Sequence, residues 1–119
     1  RLAKTRRRKN MAKFIKGDIV VIPFPFSDLS EIKKRPAFVV NSLEGDDVIL
    51  CQITSQTVKD KYSILLRKTD FLEGNLSVNS NIRPNRIFTA DKNIILYKVG
   101  SLKNTKAKEV IVKIIEIIK

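Results

Sequence analysis

Pro36-Ala37-Phe38-Val39-Val40-Asn41-Ser42-Leu43-Glu44-Gly45-Asp46-Asp47-Val48-Ile49-Leu50-Cys51-Gln52-Ile53-Thr54-Ser55 is the stretch whose reading decides the fold. Pro36 to Val40 is a short apolar run dominated by residues that favour extended backbone, and it reads as a strand. Glu44-Gly45-Asp46-Asp47 groups residues that tolerate left-handed and turn geometry. Val48 to Ile53 then reads as the returning strand, so the whole stretch is a β-hairpin whose apolar run gives way to the hydroxyls of Thr54 and Ser55.

Upstream of the hairpin, Gly17-Asp18-Ile19-Val20-Val21-Ile22-Pro23-Phe24 reads as a further strand. Pro23 and Pro25 favour extended backbone and remove ladder donors, so this strand should feed a loop. From Ser27 to Arg35 the chain is polar and charged and reads as that loop. Downstream, Tyr62 to Leu66 reads as a strand and Asp70 to Gly74 as a short helical or turn segment. Two short extended pieces follow, Arg86 to Thr89 and Ile94 to Tyr97, with Ala90 to Asn93 turning between them. At the C-terminus the period changes. Val110, Ile111, Ile114, Ile115, Ile117 and Ile118 recur at helical spacing, with Asn104 or Thr105 as N-cap and Lys106, Lys108, Lys113, Glu116 and Lys119 toward water. Several short strands followed by one amphipathic helix imply an α+β domain that is mainly β: a small, strongly bent antiparallel sheet or barrel covered by that helix.

The 119 residues suffice for one hydrophobic core. With 43% apolar and 30% charged residues the composition is that of a globular domain. No apolar run is long enough to span a bilayer, and the expected compartment is the cytoplasm. The chain has 24 Lys and Arg against 12 Asp and Glu, and six of the basic residues fall in the first ten positions, where no acid occurs. Outside that segment 18 basic residues face 12 acidic ones, so the body remains cationic. Met11, the only methionine, follows the basic run directly. Residues 1–10 therefore read as a disordered extension ahead of the natural start that adds nonspecific affinity for phosphates; a basic arm that grips phosphates is the alternative. Residues 11–119 read as the single folded domain.

With one cysteine, Cys51, and no histidine, zinc chemistry, an internal disulfide and histidine acid–base catalysis are excluded. No metal or cofactor is implied. The reactive groups that remain are arginine, lysine, carboxylates and hydroxyls, which suit phosphate chemistry. Lys33-Lys34-Arg35 lies where the polar loop re-enters a strand, so Arg35 is placed at a strand edge from which a planar guanidinium can grip a phosphate with two donors. A solvated charged loop would read the same. Thr54 and Ser55 lie just past an apolar strand, where a hydroxyl can donate to a phosphate oxygen; a plain polar strand end is the other reading. Arg83 and Arg86 flank Pro84-Asn85 as a second cationic patch. Phe24 and Phe26 border the loop and could stack on bases or fill the core. Residue type and charge thus reach a basic, mainly β domain that binds nucleic acid.

The order of motifs is more specific. Gly17-Asp18-Ile19-Val20, then a loop, then Lys34-Arg35-Pro36-Ala37-Phe38-Val39-Val40 resembles the G-D-strand, loop, R-P-strand pattern of the MazF/PemK toxin family. Cys51-Gln52-Ile53-Thr54-Ser55 resembles its apolar strand ending in I-T-S. Gly74, Leu76, Ser80, Arg83, Arg86, Ile87 and Thr89 fall at the spacing of its later block. The resemblance spans roughly residues 15 to 118. It implies an SH3-like barrel that forms a homodimer, belongs to a toxin–antitoxin pair, and cuts single-stranded RNA, messenger RNA included, at short sequences without a metal. The substrate's 2′-hydroxyl attacks the adjacent phosphate, leaving a 2′,3′-cyclic phosphate and a 5′-hydroxyl. By the same resemblance Arg35 takes the place of an arginine that stabilises the phosphorane and protonates the leaving oxygen, and Thr54 that of a threonine on the scissile phosphate. Arg83 matches an arginine that contributes to catalysis. Glu31 corresponds to an acidic loop residue; Ser27, Asp28, Lys33, Lys34, Ser55, Gln56, Asn85 and Arg86, with Phe24, complete the expected RNA-binding surface.

One position departs from the pattern. Where members carry an aspartate as general base, this chain has Asn85, and an amide cannot accept the 2′-hydroxyl proton as a carboxylate does. Glu31, Asp28, hydroxide or water would have to serve, or the reaction is slow. Two other accounts fit a basic SH3-like barrel. One is an RNA-binding module that does not cut, which Asn85 favours. The other is a gyrase-directed toxin of the CcdB kind, which the lack of tryptophan disfavours. The expected partners are single-stranded RNA, a second copy of the chain and an antitoxin whose acidic or apolar tail covers the basic groove.

Overall fold

The computed structural model describes residues 13–24 and 33–119. Within them the chain runs β1 (Asp18–Phe24), β2 (Lys33–Ser42), β3 (Asp47–Thr54), β4 (Ile64–Leu66), β5 (Phe71–Gly74), β6 (Ser80–Asp91), β7 (Tyr97–Leu102) and α1 (Asn104–Ile118), with 3-10 turns at Lys68–Asp70 and Lys92–Ile94. The strands form one antiparallel sheet in the order β4-β6-β3-β2-β1-β7-β5. This is the curled sheet with a C-terminal helix expected from several short strands followed by one amphipathic helix. The expected extension at residues 1–10 and the candidates Ser27, Asp28 and Glu31 lie outside the described residues, as does Phe26.

Alternation sorts the side chains of each strand into two cores. Phe38 of β2 and Cys51 and Ile53 of β3 face one way, together with Ile19, Ile64, Leu66, Phe71, Ile82 and Leu102; Ala107, Val110 and Ile114 of α1 close over them. Ala37 and Val39, Val48 and Leu50, and Val20, Ile22 and Phe24 face the other way and are packed by Phe14, Phe88, Ala90 and Ile95 as the sheet curls. Strand β1 therefore lies between two apolar layers. Ile19, Val20 and Ile22 are fully buried, each worth roughly 2 kcal/mol of transfer free energy.

The turn entering β1 is built by Gly17 and Asp18. Gly17 has φ 96°, a region costly for a side chain, and a Cβ there would sit 3.3 Å from the Ala107 Cβ. Asp18 is almost wholly buried; its Oδ2 accepts from the Ile15 N–H at 3.0 Å and its Oδ1 lies 3.4 Å from the Lys98 ammonium. The Gly-Asp motif thus shapes the join between sheet and helix.

Several boundaries differ from expectation. Lys33 to Arg35 are not loop but the start of β2, because β1 continues to pair with them: Ile22 with Arg35, Pro23 with Lys34, Phe24 with Lys33. After the 3-10 turn, Phe71–Gly74 is a strand, held against β7. Strand β6 begins at Ser80, earlier than the expected Arg86. The β3 register jumps from Cys51↔Ile87 to Gln52↔Arg83, so Pro84, Asn85 and Arg86 bulge out and the sheet tolerates the proline. Ile94 belongs to a turn capped by Asp91, whose side chain accepts from the Asn93 N–H, and the strand expected there forms instead at Tyr97–Leu102. Strand β7 tolerates Gly100 because β5 comes so close that a Cβ would stand 2.3 Å from the Glu73 carbonyl oxygen. The helix is capped at Lys103, without a side-chain bond, rather than at Asn104 or Thr105. Its buried residues are Ala107, Val110 and Ile114, whereas Ile115 and Ile118 are exposed.

Candidate active site

The face of the sheet away from α1 changes character along its strands. Its middle is apolar; toward the open end of the β2–β3 hairpin it becomes polar. Val39, Phe38 and Ala37 of β2 pair with Leu50, Cys51 and Gln52 of β3; Arg35, two residues before Ala37, and Thr54, two residues after Gln52, lie by alternation on the same face as that last pair. On the outer side Thr54 pairs with Asn81 and Gln52 with Arg83. On the inner side Arg35 pairs with Ile22 and Ala37 with Val20. One complete row thus crosses the sheet from β1 to β6, Val20, Ala37, Gln52, Arg83, and the pairs Ile22–Arg35 and Thr54–Asn81 lie beside it on the same face. Opposed residues share a face, and residues two apart on a strand share it too. The sheet therefore gathers Arg35, Thr54 and Arg83 on one surface, together with Gln52.

Both arginines are held against the sheet. The Nε atoms of Arg35 and Arg83 are buried and, among the described residues, have no hydrogen-bond partner. Burying a donor without a partner costs free energy, and a phosphate oxygen brought to this surface would supply the acceptor. Arg83 Nη2 lies 3.4 Å from Asp60 Oδ2, and the Asp60 carboxylate also accepts the N–H groups of Tyr62 and Ser63, each at 2.9 Å. Those bonds, with the Tyr62 amide first and the Arg83 charge helping, hold the Asp60 carboxyl below its ordinary value of 3.8. Thr54 is buried, and its Oγ1 accepts from the Gln56 N–H at 3.1 Å, leaving its own proton free to donate. Asn81 Nδ2 donates to the Gln56 carbonyl at 3.0 Å, so the chain leaving β3 is tied to the row it leaves.

Of the other candidates, Lys33 and Phe24 continue the same face one pair beyond Ile22 and Arg35. Lys34, between Lys33 and Arg35, points to the opposite side by alternation. Ser55 and Gln56 are exposed beyond the end of β3. Asn85 is exposed in the bulge, and Arg86, from the same bulge, lines an open pocket of about 410 Å³ with Ile22, Pro23, Phe24, Gln52, Ile87, Phe88 and Ile94. In that pocket Phe24 and Phe88 meet edge to face, with ring centroids 5.7 Å apart. Gln52 and Asp60 were not legible as site residues. Gln52 sits inside an apolar strand run, where only the register reveals which face it takes, and Asp60 is an isolated acid among lysines. Cys51 faces the helix-covered core, and burial pushes its thiol far above the usual range, so it is an inert packing group.

This arrangement can bind an anion on one cationic, partly desolvated surface and place a hydroxyl beside it. With that geometry established, comparison with known proteins places the chain. The pattern of the PemK-like, MazF-like toxins of type II toxin–antitoxin systems matches residues 15–118. The chain belongs to this family. A search of curated protein sequences gives no match. Solved structures with a similar fold include an endoribonuclease from a mycobacterial species, 14% identical with a TM-score of 0.65, over 90% of this chain and 91% of that one. The MazE–MazF complex from Deinococcus radiodurans is 14% identical with a TM-score of 0.68, over 89% and 95%. A mycobacterial endoribonuclease bound to its cognate antitoxin is 13% identical with a TM-score of 0.64, over 90% and 93%. At these identities the likeness establishes the shared fold. Among the described residues no helix is long and apolar enough to cross a membrane.

Proposed function

We propose that this toxin is an endoribonuclease that cuts single-stranded RNA at short sequences by intramolecular transesterification. The observation that carries the reading is that Arg35, Thr54 and Arg83 lie on one face of three adjacent strands, with two guanidinium Nε atoms buried and without an acceptor among the described residues. In the reaction the 2′-oxygen bonds to the adjacent phosphorus while the bond to the 5′-oxygen breaks. The 2′-hydroxyl proton leaves to a base, the departing 5′-oxygen takes up a proton, and the products carry a 2′,3′-cyclic phosphate and a 5′-hydroxyl. The nucleophile comes from the substrate, so the protein's work is to orient the phosphate and neutralise charge as the phosphorane forms. Arg35 stabilises the phosphorane, Arg83 adds a second positive charge from β6, and Thr54 donates to a phosphate oxygen. Asn85 is not the base.

Phe24, Lys33 and Arg86, lining or flanking the open pocket, hold the neighbouring nucleotides, with Ser55 and Gln56 at the end of β3. The other parts of the reading are a homodimer, which rests on the family resemblance, and an antitoxin that covers the cationic face; the likeness to toxins solved with their antitoxins supports an antitoxin partner. The test is incubation of a long unstructured RNA with the purified chain in excess EDTA, with mapping of the ends. Cuts at a recurring short sequence, with cyclic phosphate ends and lost in both Arg35→Ala and Thr54→Ala, are expected. RNA that is bound but intact would replace this reading with that of a binding module, the one reading that Asn85 favours.

A further inference from the structure

The loop leaving β3 returns a carboxylate to the candidate site, and sequence reading gave that residue no role. Asp60 stands 23 positions before Arg83, on the far side of β4 in the chain, yet its Oδ2 is 3.4 Å from Arg83 Nη2. We propose that Asp60 is a positioning residue for Arg83: it fixes the guanidinium end-on so that the remaining N–H donors face the phosphate site. This inference rests on the ribonuclease reading of that site.

Three observations support it. First, the two oxygens of Asp60 have different work. Oδ1 accepts the Tyr62 and Ser63 N–H groups, which locks the turn, and Oδ2 is left for Arg83. A carboxylate engaged on both oxygens and tied down by a turn is a fixed anchor and a poor proton acceptor. Asp60 therefore orients rather than abstracts. Second, Arg83 Nε is buried without a bond among the described residues, so the long side chain has no other hydrogen-bonded anchor at that atom. An arginine held at one Nη keeps its planar fork but loses rotational freedom, which reduces the entropy lost when it grips a phosphate. Third, the same loop touches the site at its other end. The Gln56 N–H donates to the Thr54 Oγ1 and the Gln56 carbonyl accepts from Asn81. Residues 54 and 83 are thus linked through one segment, and the turn at Asp60 keeps it in register with the sheet.

Asp60→Asn separates the two jobs. An asparagine oxygen still accepts from Tyr62 and Ser63, while its amide turns a donor toward Arg83 and removes the anchor. In the full chain, kcat for RNA cleavage is expected to fall about tenfold with KM nearly unchanged, while the melting temperature falls by no more than the loss of one exposed ion pair produces. In the Arg83→Ala background the same substitution is expected to do nothing further, because the group it positions is gone. The acid side of the pH–rate profile keeps its shape, since no base has been removed. The inference is overturned if Asp60→Asn cuts at the wild-type rate, if it lowers the rate equally with and without Arg83, or if it abolishes the acid limb, which would make Asp60 the base. A wild-type chain that leaves RNA intact overturns the ribonuclease reading and this inference together, whereas active wild type with additive effects overturns this inference alone.

Discussion

Two turns in this molecule are each tied by an aspartate. Asp18 closes the turn into β1 and Asp60 opens the turn ahead of β4, and both accept backbone N–H donors and approach a cation. Their surroundings differ. Asp18 is 1% exposed, beneath the join of sheet and helix, and its cation, Lys98, is partly in water and shared with Glu73. Asp60 is solvent-accessible, and its cation is the one with a buried, unbonded Nε on the polar face. The buried pair serves the fold, while the accessible one lies where ligand can come. A carboxylate–cation pair therefore takes its meaning from the face of the sheet it sits on, and substitution should divide the two regions cleanly between stability and activity.

The largest expected effect lies on the polar face. Arg35→Ala should reduce RNA cleavage about 1000-fold and alter stability by less than about 1 kcal/mol, because its buried Nε has no hydrogen-bond partner among the described residues. Single-turnover rates and thermal melts would measure both. A protein that is destabilised in proportion to its lost activity would place Arg35 with the structural pairs. Thr54→Val should follow, at roughly 100-fold in rate, since valine keeps the buried volume and removes only the hydroxyl. Retention of activity would leave the threonine as no more than the acceptor for the Gln56 N–H.

The opposite split is expected at the first turn. Asp18→Ala removes the acceptor of the Ile15 N–H in a buried position and should cost about 2 kcal/mol, a fall of roughly 5–10 °C in melting temperature. Cleavage measured well below that temperature should stay within about twofold of wild type. Asp18→Asn sharpens the point. It keeps an acceptor for Ile15 and loses only the pairing with the partly exposed Lys98, and pairs with so accessible a partner contribute little. Most of the stability should therefore return.

The same contrast explains what could be read in the sequence. Residues 36–55 were legible because two unbroken apolar runs around a turn fill two cores: Phe38, Cys51 and Ile53 on one side, Ala37, Val39 and Leu50 on the other. The Gly17-Asp18 pair was legible as a motif, but its structural use appears only once Ala107 is seen against Gly17. Arg35, Thr54 and Arg83 were found as residue types at motif spacing, while their meeting depends on pairings that no local pattern encodes. The bulge at Pro84–Arg86 hid the start of β6, since a proline beside charged residues reads as a break until a partner strand absorbs it. The run Ile94-Ile95-Leu96-Tyr97 has the composition of a strand, yet a turn capped by Asp91 claims Ile94, and pairing with β1 starts β7 only at Tyr97. Asp60 carried no local signal at all, because its role is defined by a residue two strands away.

The smallest expected effect is in the titration of the accessible aspartate, Asp60. The Tyr62 and Ser63 amides and the Arg83 charge favour the ionised form of Asp60, so its folded value lies below 3.8. A carboxyl whose folded value is depressed adds stability above its unfolded value and loses it as pH falls through the folded one. Between about pH 5 and 8 Asp60 is ionised in both states, so the stability difference between wild type and Asp60→Asn should be flat there and change only below the ordinary carboxylate range. Carboxyl resonances followed by NMR through an acid titration would show Asp60 among the last groups to protonate. A midpoint at or above 3.8 would mean that in solution the turn does not present its amides to Asp60. The accessible pair would then lack the preorganisation that distinguishes it from an ordinary surface ion pair, and its claim on Arg83 would fall with it.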